Sequence, residues 1–149
     1  MKAILLLFAL LTLAANASAE LKIISTEHHE TAAFKRFSEY FSGKENPGRY
    51  AIFRSIPEQR TGFYVSIEAK SKEQLINVSI VRLRYVRPNT QEIETHAFPA
   101  GEINRKRLLV GLTENEWKKP NSRPVAWKIE LLDSDEQVID SIQSFLWSE

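Results

Sequence analysis

Residues 63–70, Phe-Tyr-Val-Ser-Ile-Glu-Ala-Lys, decide the fold class. Phe63, Val65, Ile67 and Ala69 alternate with Tyr64, Ser66, Glu68 and Lys70. A period of two gives a strand with one buried face. Downstream, residues 75–87 (LINVSIVRLRYVR) read as a longer strand that changes phase. Ile76, Val78 and Ile80 share one parity, whereas Val81, Leu83 and Tyr85 take the other, so a bulge is predicted near Ile80 and Val81. Further strands are predicted over 50–54, 92–98, 107–112, 125–132 and 138–147. The last two flank Asp133-Ser134-Asp135-Glu136, residues suited to a hairpin turn. About seven strands with regular turn signals predict a mainly β fold, an antiparallel immunoglobulin-like β-sandwich. A parallel α/β sheet would need helices between the strands, and the pattern offers only one helix, ahead of them all.

That helix is predicted over residues 27–41 (EHHETAAFKRFSEYF). Phe34, Phe37 and Phe41 fall on one face at i, i+3 and i+7, Ser25 or Thr26 can cap the start, and Gly43 stands just past the end. A Gly/Pro loop, 43–48, follows.

Residues 1–19 (MKAILLLFALLTLAANASA) have the three parts of a cleaved secretory signal: Lys2, an apolar run over 3–15, and Ala17-Ser18-Ala19 before Glu20. The run is shorter than the roughly 20 residues a bilayer span needs, and no cysteine is present to carry a lipid. The expected organisation is therefore 1–19 signal peptide, 20–48 N-terminal helix and loop, and 49–149 sandwich. The expected location is secreted or periplasmic. A cysteine-free exported domain of this size suits a bacterial periplasm or exterior better than a eukaryotic secretory route.

Of 149 residues, 20 are basic and 19 acidic; without Lys2 the charges balance, which argues against a nucleic-acid partner. Zero cysteines exclude thiolate catalysis, disulfides, Fe–S clusters and Cys-ligated zinc. His28 and His29 are adjacent and His96 is remote, without the i, i+4 spacing of a helical metal site, and no metal or cofactor is expected. His96 alternates with Glu92 and Glu94 and reads as a solvent-facing residue. No G-x-S-x-G elbow and no Gly-rich phosphate loop occurs.

Two features remain as candidate binding groups. Arg49, Arg54 and Arg60 precede the first clear strand, and Arg82 and Arg84 leave one strand face. If these segments are neighbours they form a patch of guanidinium forks for carboxylate or phosphate. Trp127 and Trp147 read as packed, whereas Trp117 lies in a polar loop and can anchor a partner or fold back on the core. The functional expectation is a non-enzymatic exported module that binds a protein or envelope component. A carbohydrate- or anionic-ligand-binding module is the alternative, and a small hydrolase comes third.

Overall fold

Alternation of apolar and polar residues builds two four-stranded sheets. The computed structural model describes residues 21–148 apart from the Phe37 side chain, so the expected signal peptide over 1–19 lies outside the described residues. In chain order the strands are β1 (Lys22–His29), β2 (Tyr50–Arg54), β3 (Gly62–Glu68), β4 (Ile80–Val86), β5 (Ile93–Pro99), β6 (Arg107–Leu112), β7 (Ala126–Leu132) and β8 (Val138–Gln143). One sheet, here sheet A, has the order β1-β3-β6-β2; the other, sheet B, has the order β5-β4-β7-β8. All pairs are antiparallel except β2 with β6, which is parallel.

The core lies between the sheets. Phe63, Val65 and Ile67 of β3 and Leu108, Val110 and Leu112 of β6 meet Val81, Leu83 and Tyr85 of β4 and Trp127, Ile129 and Leu131 of β7 in one buried cluster. These are the alternate positions of each strand, so the pleat alone sends them inward. Burial of such side chains stabilises by about 1.5–3 kcal/mol each. The expected Asp133–Glu136 turn is formed: Asp133 N–H donates to the Gln137 carbonyl at 2.9 Å, and the Asp133 carboxylate accepts from the amides of Asp135 and Gln137.

Three expectations are corrected. Residues 27–29 are not helical; they complete β1, which pairs with β3 from Lys22↔Glu68 to His29↔Gly62. Helix is confined to α1 (Thr31–Phe34) and α2 (Phe37–Ser42), broken by extended backbone at Lys35 and Arg36. Hydrogen bonding to the free edge of β3 wins over helical phenylalanine spacing. The phase change in 75–87 is a strand boundary, not a bulge. A 3-10 turn over Lys72–Leu75 precedes it, and β4 begins at Ile80 with unbroken register to β5 and β7. The sandwich is mixed rather than wholly antiparallel, because β2 enters alongside β6. No helix among the described residues is long and apolar enough to cross a membrane.

Candidate functional site

On sheet A, residues of the parity opposite to the core form rungs across the outer face. One rung runs Glu27–Tyr64–Gly111–Arg54, the next Ser25–Ser66–Leu109–Ile52, and the third Glu68–Arg107–Tyr50. Tyr64 lies flat along the first rung: a Cβ on Gly111 would come within 2.4 Å of its ring, so only glycine fits beneath it. The phenol is 1% exposed. Its hydroxyl donates to the Arg60 carbonyl and accepts from Arg54 Nε at 2.7 Å. Burial raises the Tyr64 pKa despite the Arg54 contact.

Residues 31–48 form a strap across this face. Phe34 packs on Tyr64 with ring centroids 5.0 Å apart, and the Arg54 guanidinium sits 4.7 Å from the Phe34 centroid. Arg54 then grips Glu45 through both terminal nitrogens, at 2.6 and 2.9 Å, and Arg60 grips Glu39 bidentately. The hydrogen bonds from Arg60 hold the Glu39 carboxyl below its usual range.

Arg82 and Arg84 leave the outer face of sheet B. Arg82 binds Glu130 of β7 at 2.9 and 3.2 Å, and Arg84 reaches the same carboxylate at 3.5 Å. The indole of Trp147, folded back from the chain end, lies 5.3 Å from the Arg84 guanidinium. The arginines singled out in the sequence therefore do not converge. Arg54 and Arg60 belong to one outer face, Arg82 and Arg84 to the opposite one, and Arg49 is exposed at the start of β2. The pairing of Arg82 with Arg84 is real, but its anion comes from the same chain.

Trp117 is buried. It ends a 3-10 turn over Asn115–Trp117, sets its edge against Tyr85 at 5.8 Å, and is capped by the Arg87 guanidinium at 5.2 Å. The loop tryptophan thus folds back on the end of the core. Arg87 also binds Glu94 and Glu116.

His96, read as solvent-facing, shares the inward parity of Phe98 on β5 and stacks on Tyr85 at 5.7 Å. Its Nε2 lies 2.9 Å from Glu114 Oε1 and 3.2 Å from the Tyr85 hydroxyl. Ser55 Oγ donates to Glu114 Oε2 at 2.7 Å and accepts from the Thr113 amide at 2.8 Å. This polar chain closes the open side of the sandwich between β2 and β5. The order is wrong for nucleophilic catalysis, since the carboxylate rather than the imidazole adjoins the hydroxyl. Burial alone would raise the Glu114 pKa, but the hydrogen bonds from His96 and Ser55 outweigh it and hold the carboxyl at about 2. The inward phase of Phe98 in the sequence is the signal that locates His96.

Against this geometry, no protein-family model, no curated protein and no solved structure matches the chain.

Proposed function

We propose that the chain is an exported binding module of immunoglobulin-like topology, and that the strap over residues 31–48 engages a protein partner. The topology supports the first part. The orders β1-β3-β6 and β5-β4-β7-β8 correspond to A-B-E and C′-C-F-G, with β2 in the place of strand D but running parallel to its neighbour. Export is supported by the three-part segment over residues 1–19.

One observation carries the partner reading. Tyr40 and Phe41 are 86% and 74% exposed, their rings 5.3 Å apart, on a helix held to the sheet through Glu39 and Arg60. Exposed aromatic rings on an anchored segment are what a protein interface uses as anchors, because docking buries their large apolar area. Glu39 and Glu45 are engaged by Arg60 and Arg54, and the exposed cations Lys35 and Arg36 line the surface beside Tyr40. The partner surface this fits is an apolar recess with an acidic rim.

The test is capture of exported proteins by the immobilised chain, beside the Tyr40→Ser/Phe41→Ser variant and vesicles containing anionic lipid. The reading expects a saturable protein partner, lost in the variant while its melting temperature is unchanged. Equal capture by the variant, or binding to vesicles instead, overturns it.

A further inference from the structure

The middle rung of sheet A is lower than its neighbours. It carries Ser25 and Ser66, while the flanking rungs carry Tyr64 on one side and the Glu68–Arg107 pair with Tyr50 on the other. The strap bridges this depression and leaves a cleft of about 420 Å³ between itself and the sheet, within the size range of small-molecule sites. Leu109 and Ile52 supply an apolar floor and Phe34 an apolar wall.

Ser66 lines the cleft, is 1% exposed, and its hydroxyl has no hydrogen-bond partner among the described residues. A buried hydroxyl without a partner costs about 1–3 kcal/mol, and a ligand group can relieve that cost. Two opposite charges also line the cleft and do not neutralise each other. Arg36 makes no ion pair among the described residues, and its guanidinium lies against Gly48. Among the described residues Glu27 has only His29 as an ion-pair partner, at 3.9 Å. Burial lowers the His29 pKa against the raising effect of Glu27, so that imidazole is a weak cationic partner for the carboxylate.

We propose that this cleft binds a small zwitterion with an apolar body, of the class of free hydrophobic α-amino acids. Its ammonium pairs with Glu27, its carboxylate with Arg36, and its side chain rests on Leu109, Ile52 and Phe34. An inorganic anion would meet the Glu27 carboxylate, and a neutral sugar would leave both charges unanswered. The cleft shares Arg36 with the surface beside Tyr40, but its floor and its Glu27 carboxylate lie apart from that surface, so loss of partner capture in the Tyr40→Ser/Phe41→Ser variant and loss of ligand binding can be told apart.

The experiment is titration of the protein with L-leucine, followed by calorimetry and by the shift in melting temperature. L-Leucinamide, N-acetyl-L-leucine, glucose and inorganic phosphate serve as comparison probes. Leucine is expected to bind and to raise the melting temperature. The two masked analogues, each lacking one charge, bind at least about tenfold more weakly. Glu27→Gln and Arg36→Gln each weaken leucine binding by about tenfold or more, with the ligand-free melting temperature unchanged because both side chains are exposed. Ser66→Leu fills the cleft and abolishes binding. The proposal is overturned if leucine does not bind at about 10 mM, or if the masked analogues or the charge variants bind equally well. Binding of glucose or phosphate in its place overturns it too.

Discussion

The two outer faces of the sandwich use the same three parts and assemble them differently. Each has an aromatic ring, a pair of arginines and carboxylate partners. On sheet B the carboxylate is Glu130, on the strand beside Arg82 and Arg84, with Trp147 as cover. On sheet A the ring is Tyr64 on the strand itself, and the carboxylates Glu39 and Glu45 arrive from the strap. A carboxylate on the strand ties the sheet to itself. One on a crossing segment ties that segment down and leaves the rest of it free to present Tyr40 and Phe41. Sheet B thereby has a face tied to itself, and sheet A a face crossed by the strap with a cleft beneath.

The largest effect should come from Glu130→Gln. Glu130 is buried and answers both arginines, so its loss leaves two guanidinium groups facing a neutral amide. Urea denaturation should show a loss of about 2–4 kcal/mol, below the range for fully buried pairs because Arg82 and Arg84 still touch water. A negligible cost would mean that Trp147 packing alone seals sheet B.

Next in size is Tyr64→Phe. The ring stays over Gly111, but Arg54 Nε and the Arg60 carbonyl each lose a partner. The expected cost is about 1–2 kcal/mol by the same measurement, and an unchanged midpoint would show that water replaces the hydroxyl.

What the sequence made legible follows local periodicity. Alternation places β3 and β7, because each sends one parity into the core and carries polar residues on the other. β1 was hidden: KIISTEHH is an edge strand with no fully buried residue and a register shift between Ile23 and Ser25, so its polar and apolar residues do not alternate. The phenylalanine spacing next to it reads as helix, yet Phe34 packs on Tyr64 whereas Phe41 is exposed, and no single face unites them. The site was legible in the same local way. Spacing alone gives Arg82 and Arg84 a common face. Whether they join Arg49, Arg54 and Arg60 depends on which sheet β2 and β4 enter, a long-range choice that spacing does not carry.

Acid should distinguish the contacts further. Glu39 and Glu114 are both held below the ordinary carboxyl pKa of 4.5, Glu114 at about 2. A depressed folded-state pKa contributes stability above the unfolded value, and that stability is lost as pH falls through the folded one. Thermal unfolding scans should therefore show stability declining from about pH 4.5 toward pH 2. Glu114→Gln should flatten that decline, and an unaltered acid limb would place its origin elsewhere.

The most direct test of the difference between the faces comes from Glu39→Gln combined with Glu45→Gln. The Glu39–Arg60 pair is partly solvent-exposed, whereas the Arg54 side chain held by Glu45 is nearly buried, so the loss of stability should come mainly from the second substitution. Hydrogen exchange read by mass spectrometry measures what the two carboxylates hold. The account predicts faster exchange confined to residues 31–48, with β3, β4, β6 and β7 protected as in the parent chain. Exchange rising together in the strap and in both sheets would contradict it, because the strap would then be an integral layer of the core.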